Sequence, residues 1–347
     1  MHLGVQPEAG RACSESRSAE IWETFRRVIQ VCADERADLL LVAGDLFHRQ
    51  PLLRELKEAD SLFASIPGTQ VVLIAGNHDY IRRDSYYRTF RWSSNVHMLA
   101  GEKLEAVELP RLSCAVYGLS YHARQISAPL YDEARAQGRQ RTEILLAHGG
   151  DGAHIPIDRE RLAGLGYSYI ALGHIHRPHV LVPSLAAYAG ALEPTDRNDT
   201  GPHGYIEGEI SPDEGGCRFS FVPFASRSYI HCEVEVDRRT TGMRLRELVE
   251  EKIRQNGKEN IYKFLLKGYR DPDIAFDLDA LGRQGNIIAI SDETRPAYDM
   301  EKLYRNNRNN LIGKYIESFS GAEADSVEYG ALCEGIAALM ETRRGEA

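Results

Sequence analysis

Within its first 176 residues the sequence repeats one arrangement four times: a short apolar run that breaks at once into glycine, histidine, aspartate or asparagine. The runs are residues 38–43, 71–75, 144–147 and 169–172. They lead into Gly44-Asp45-Leu46-Phe47-His48, Gly76-Asn77-His78-Asp79, His148-Gly149-Gly150 and Gly173-His174-Ile175-His176. Runs this short and this uniformly apolar read as strands buried on both faces. Between the first two lies a helical pattern at Leu52, Leu56, Ala59, Leu62 and Phe63, opened by Pro51 and stopped by Pro67-Gly68. Before the first run, Ile21, Phe25, Val28, Ile29 and Cys32 hold helical spacing behind Ser18, a candidate N-cap. Alternating buried strands and amphipathic helices predict a layered α/β domain over residues 1–227. The stretches 95–120 and 180–227 read as extra strands flanking that core.

Loops at the carboxyl ends of core strands converge on one side of an α/β domain. One edge should therefore gather Asp45, Asn77 and five histidines. A carboxylate has two oxygens and can bridge two cations, while imidazole and amide oxygen complete sites for Mn, Fe or Zn. Two such ions can clamp a phosphate and stabilise its leaving oxygen. Each residue alone is commonplace: a lone Gly-Asp is usually a turn, and a lone histidine usually a hydrogen-bonder. The joint occurrence, in order and after successive strands, is what points to chemistry. His97, His122, His154, His179, His203 and His231 lie outside the four segments and read as solvated or structural.

Beyond the first domain, residues 228–297 read as a small α+β unit. Residues 298–347 read as a tail of two helices, one apolar set being Leu303, Leu311, Ile312, Tyr315, Ile316 and Phe319 and the other Leu332, Ile336, Leu339 and Met340. No apolar run approaches the length of about 18 residues that a membrane span requires, and the start does not read as a signal peptide. Six dispersed cysteines, with no Cys-x-x-Cys, exclude a zinc ribbon and a disulfide framework and lead us to expect a reducing cytoplasm. The net charge of −9 runs against broad electrostatic affinity for nucleic acid. Positive charge would have to be local, or come from metal ions or a partner. Arg82, Arg83, Arg88 and Arg91, just after the second segment, are candidates for contact with a phosphate backbone, and read equally as a solvated face.

In this order the segments resemble the calcineurin-like metallophosphoesterase superfamily, whose pattern is Asp-x-His, Gly-Asp, Gly-Asn-His-Asp/Glu, a later His, and Gly-His-x-His. The longer Gly44–His48 segment with Pro51 after it resembles the SbcD-type DNA-repair exonucleases, especially the YhaO-like branch. The resemblance implies a four-layer β-sandwich flanked by helices, a capping domain at 228–297 and a helical tail at 298–347. It implies two divalent metal ions, manganese first with iron, zinc or magnesium as alternatives. Asp45 would bridge them, with His2 and His176 on the first ion and Asn77, His148 and His174 on the second. His78 would contact the phosphate and protonate the leaving group, oriented by Asp79; His48 would sit near the first metal. Further implications are a DNA substrate, a homodimer, and docking of the tail on an SbcC-like coiled-coil ATPase. His2 matches the histidine of the opening Asp-x-His, so that aspartate would fall one position before Met1. The expectation is a start further upstream that restores it; the alternative is a first metal with three protein ligands. Two other functions fit the same residues, a phosphatase or small-molecule phosphodiesterase and a non-enzymatic scaffold.

Overall fold

The structure is a computed structural model that describes residues 1–9, 16–211, 216–323 and 326–345. The chain divides into two compact units, one of Met1–Ala9 and Cys13–Tyr229, the other containing Ile230–Ala347. The first unit holds α1 (Arg17–Asp34), β1 (Leu39–Ala43), α2 (Leu53–Ala64), β2 (Gln70–Ile74), β3 (Val96–Met98), β4 (Glu105–Leu109), β5 (Cys114–Gly118), β6 (Thr142–His148), α3 (Arg159–Ala163), β7 (Tyr169–Gly173), β8 (His179–Val182), β9 (Ala186–Tyr188), β10 (Gly204–Ser211) and β11 (Gly216–Pro223). The helices start differently from the sequence reading. Ser16, not Ser18, stands at the N-cap of α1, and α2 begins two residues after Pro51.

The four marked strands fall in two sheets. Parallel β1, β2 and β3 make one sheet. The other runs β4-β5-β6-β7-β9-β8, parallel from β5 to β9 and antiparallel at both edges. Strand alternation shows how they stack, because successive side chains point to opposite faces. Val71 and Leu73 join Ile21, Phe25, Val28, Leu56 and Phe63 under α1 and α2. Val72 and Ile74 turn the other way, onto Cys114, Val116, Ile144 and Leu146 of the second sheet. Ala115, Tyr117, Leu145 and Ala147 then face outward onto Leu162 of α3 and onto Tyr131 and Leu165. Helices, sheet, sheet, and a last layer of α3 with loops make four layers. The segments expected to flank the core mostly build it, since β3 completes the first sheet and β4, β5, β8 and β9 belong to the second. Only the β10–β11 hairpin forms a separate two-stranded sheet.

The second unit adds β12 (Tyr229–Val236), which starts at the boundary, then α4 (Gly242–Asn256), β13 (Ile261–Arg270), α5 (Leu278–Leu281), β14 (Ile287–Asp292), β15 (Arg295–Pro296), α6 (Met300–Asn307), α7 (Leu311–Ser318) and α8 (Val327–Gly345). Leu245, Val249 and Ile253, one α-helical turn apart, bury α4 against Val234, Tyr262 and Phe264. The stretches expected as a cap and as a tail both lie in this unit. Among its described residues the tail contains three helices rather than two. The apolar set Leu303–Phe319 is cut where Asn310 caps α7, its side chain accepting from the amides of Ile312 and Gly313. Among the described residues no helix is long and apolar enough to cross a membrane. Among the described residues Cys32, Cys114, Cys217, Cys232 and Cys333 are free and buried; Cys13 lies outside them.

Two buried carboxylates brace the loops of the first unit. Asp79 does not orient His78. It is fully buried and accepts from the amides of Gly76 (2.8 Å) and Phe47 (3.2 Å) and from the Tyr87 hydroxyl (2.9 Å), so it ties the loop after β2 to the loop after β1. Glu193 is also fully buried. It takes the Arg17 guanidinium at 2.7 Å, and the Thr24 hydroxyl and Ser226 amide at 2.6 Å each, which fastens the segment after β9 to α1.

An Asp79→Asn variant would set an amide donor against a backbone N–H. Urea unfolding should show a loss of about 1–3 kcal/mol; an unchanged midpoint would remove Asp79 as a brace. Glu193→Gln removes the buried carboxylate from Arg17 and leaves it Glu20 at 3.3 Å and the Pro194 carbonyl at 3.2 Å; it should cost about 1–3 kcal/mol, whereas a double Arg17→Met, Glu193→Leu variant should lose less. Equal losses in the two would show that the ion pair itself is not what matters.

Candidate metal centre

The carboxyl ends of β1, β2, β6 and β7 meet at one place, and the backbone there is held in sparsely populated conformations. His2, Asp45 and His174 all adopt positive φ, at 60°, 49° and 91°. Such conformations cost of order 1–3 kcal/mol each and persist only where the surroundings over-determine them. Glycine is required beside them. Gly44 sits at φ 81°, and a Cβ on it would come 2.4 Å from Nδ1 of His148. At Gly173 a Cβ would meet the Ala43 carbonyl oxygen at 1.8 Å.

Asp45 is the hub, and it is almost completely buried. Its Oδ1 accepts from the His78 amide at 2.8 Å. Its Oδ2 lies 3.4 Å from Nε2 of His148 and 3.8 Å from Nε2 of His2. Burial alone would raise this carboxyl; the imidazoles of His148, His2 and His78 outweigh it and hold Asp45 well below the usual carboxylate range. Burial likewise works against charge on His148, but Asp45 and the Ala43 carbonyl prevail and lift it.

The hydrogen bonds set which ring nitrogens are exposed to the centre. A carbonyl can only accept, so Nδ1–H of His148 donates to Ala43 at 2.8 Å. Nε2 of His148 then faces Oδ1 of Asn77 at 2.9 Å. Nδ1 of His174 faces the same oxygen at 3.1 Å, while its Nε2 lies 2.8 Å from Asp151. The oxygens of Asp45 and Asn77 and the inner ring nitrogens of His148 and His174 thus converge.

A second group adjoins this one across Asp45. The His2 ring lies 4.7 Å from His176, 4.9 Å from His78 and 5.4 Å from His48, centroid to centroid. Nδ1 of His176 donates to Asp199 at 2.9 Å, and Asp199 is itself held by the amide and hydroxyl of Thr195. Burial tends to raise Asp199, but these partners bring it down to about 2. Nδ1–H of His78 donates to the His48 carbonyl at 3.0 Å. Burial lowers His2 strongly and His48 and His174 less so, which keeps these rings neutral with a lone pair available. Carboxylate, amide oxygen and neutral imidazole, each ring steadied at its far nitrogen, is a donor set that fits divalent transition-metal ions. His2, His48 and His78 alone bring three ring nitrogens within 4.8 Å of one another.

Every histidine, carboxylate and amide singled out from the sequence is found at this edge, except that Asp79 faces the loop brace. The arginines do not converge on it: all four are exposed, Arg82 pairs with Asp84 at 3.1 Å and Arg88 donates to the Arg82 carbonyl. His179 stacks on Tyr188 and His203 donates to the Gly201 carbonyl. Three residues were missed. Asp199 and Asp151 steady His176 and His174, and His154, read as solvated or structural, is bound to Asp151 at 2.9 Å. The usable signal was the rule that a liganding imidazole needs a carboxylate or carbonyl behind it; the spacing of 23 residues in both pairs carries none.

Comparison with known proteins agrees with this geometry. The chain is similar to the "uncharacterized metallophosphoesterase YhaO" of Bacillus subtilis, 27% identical over 71% of this chain and 63% of that protein. It is similar to the "DNA double-strand break repair protein Mre11" of Methanocaldococcus jannaschii, 26% identical over 53% of each chain. It is also similar to the SbcD polypeptide of the nuclease SbcCD of Bacillus subtilis, 26% identical over 55% of this chain and 59% of that one. The chain spans 53% to 63% of the lengths of these relatives. The model of the calcineurin-like phosphoesterases, a family that uses divalent metals, matches residues 5–178, half of the sequence, and the chain belongs to that family.

Proposed function

We propose that this phosphoesterase is a manganese-dependent phosphodiesterase that cleaves DNA. The observation that carries the reading is one oxygen, Oδ2 of Asp45, facing His2 on one side and His148 on the other. A single buried carboxylate oxygen between two imidazole groups suits a bridge between two ions. His2 and His176 would hold one, and Asn77, His148 and His174 the other. When bound, the pair supplies Lewis acidity at the phosphoryl group.

The chain's own residues do the rest. His78 is anchored through its amide to Asp45 and through Nδ1 to the His48 carbonyl, so Nε2 is the nitrogen left to act. Once protonated it donates to the leaving oxygen. His48, whose Nδ1 lies 3.4 Å from Nδ1 of His2, is placed to contact substrate beside the first ion. Asp199 and Asp151 keep His176 and His174 turned inward. The names of the Mre11 and SbcCD relatives, double-strand break repair and nuclease, support DNA as the substrate. Arg82, Arg83, Arg88 and Arg91, exposed but not gathered at the centre and with Arg82 answered by Asp84, would offer at most scattered contacts to a phosphate backbone. Docking of the helices beyond residue 297 on an SbcC-like ATPase, pairing of two copies of the chain, and a cytoplasmic setting belong to the same reading.

The purified chain is assayed on linear double-stranded DNA and on bis(p-nitrophenyl) phosphate with and without manganese. DNA cleavage should require manganese and vanish in Asp45→Ala. His78→Gln should lower the rate about 10²–10⁴-fold while bound manganese is retained. Turnover of the small diester without cleavage of DNA would replace the nuclease reading with a small-molecule phosphodiesterase. Manganese binding with no hydrolysis of either would favour the scaffold.

A further inference from the structure

Outside the residues assigned to hydrolysis, the loop after β6 builds a second cluster around the far side of His174. Oδ2 of Asp151 lies 2.8 Å from Nε2 of His174, and Asp151 Oδ1 and Oδ2 lie 2.9 and 3.0 Å from Nδ1 of His154. The rings of His154 and His174 are 4.5 Å apart. One donor atom from each of the three residues falls within 4.8 Å of the others. The Asp151 side chain is 48% exposed, so the cluster is reached from solvent, unlike Asp45. The amides of Ala153 and His154 both donate to Oδ1 of Asp151 and set its direction. The backbone is strained to hold His154 there, since Ile155, a β-branched residue, is forced to φ 35°. His174 contacts Asp151 directly, while the His154 side chain meets the same carboxylate from its other side.

We propose that Asp151, His154 and Nε2 of His174 form a separate zinc site whose occupation withdraws His174 from the central metal centre. Two imidazoles and one carboxylate, with a fourth position open to water, are a common zinc donor set. Ligands around a tetrahedral zinc stand about 3.3 Å apart, given metal–ligand distances of about 2.0–2.1 Å. The two contacts of Asp151 with the imidazoles would therefore lengthen by roughly half an ångström. The exclusion follows from the ring itself. A neutral imidazole has one lone pair. In the present arrangement Nε2 faces Asp151 and Nδ1 faces Oδ1 of Asn77 at 3.1 Å. Zinc on Nε2 moves the proton to Nδ1, which then meets Asn77 as a donor and no longer as a ligand. This inference rests on the reading of His174 as a central ligand, and zinc bound there acts as an inhibitor from the rim.

The test uses metal binding without DNA, so failure of the nuclease reading cannot be mistaken for failure of this one. The purified chain is stripped with chelator and loaded with manganese. Zinc is then titrated in, with free manganese read by electron paramagnetic resonance and bound zinc by equilibrium dialysis. Up to one equivalent of zinc should release manganese from the wild-type chain. His154→Ala and the similarly sized His154→Gln, each checked for an unchanged circular dichroism spectrum and melting temperature, should need at least tenfold more. Zinc also outranks manganese for most nitrogen and oxygen sites. Release at the same zinc concentration in all three proteins would therefore mean direct displacement at the centre, and overturns the proposal. Zinc that binds through His154 without releasing manganese overturns the exclusion. Should manganese not bind at all, the central reading fails, and a His154-dependent zinc affinity alone upholds the rim site.

Discussion

A carboxylate buried as deeply as Asp45 must be answered by positive charge or by donors, and the rest of the first unit is organised around that demand. One of its oxygens is satisfied by the His78 amide. The other is left to imidazoles, and in their company His148 is lifted above its ordinary value against the effect of its own burial. Placing such a group at the meeting point of two sheets is costly unless a cation shares it. The four-layer stack makes the position possible, because two sheets packed face to face bring four strand ends to one edge, where a single sheet would spread them over several strand spacings of about 4.8 Å.

The parts of this arrangement that were legible in the sequence are those where chemistry dictates residue type locally. The runs before Gly44, Gly76, His148 and Gly173 are apolar because both faces of their strands are covered, and the residues after them are polar because the strands end at the site. That correlation lies within one short stretch of chain each time and can be read without a structure. The division into two sheets could not be read the same way, since Val71–Leu73 facing one layer and Val72–Ile74 facing another is written in a run that is uniformly apolar. The break at Asn310 was hidden because Leu303, Leu311, Ile312 and Phe319 keep an apolar spacing through it, while the capping asparagine decides the boundary.

The supporting residues were illegible for a different reason. Asp199 with His176, Asp151 with His174 and Glu193 with Arg17 are pairs across 23, 23 and 176 residues. Each partner is an unremarkable surface type in its own neighbourhood, and only folding makes it a buried or half-buried brace. Asp79 shows the converse. Its position next to His78 invites a direct pairing, yet the tight turn carries the carboxylate back onto Gly76 and Phe47 and leaves His78 to the His48 carbonyl. Adjacency in sequence was the misleading signal there.

That exchange of partners has a mechanical consequence. The loop after β1 and the loop after β2 are joined by three reciprocal bonds: the His78 amide to Asp45, the His78 ring to the His48 carbonyl, and the Phe47 amide to Asp79. None of these bonds lies within one loop, so neither loop can shift without straining the other. The carboxylate proposed to hold the metals and the imidazole proposed to move the proton are therefore tied to each other across the two loops as well as along their own strands. A centre built this way holds its proton donor in register with its ligands, which is the precision that in-line chemistry at a phosphoryl group requires.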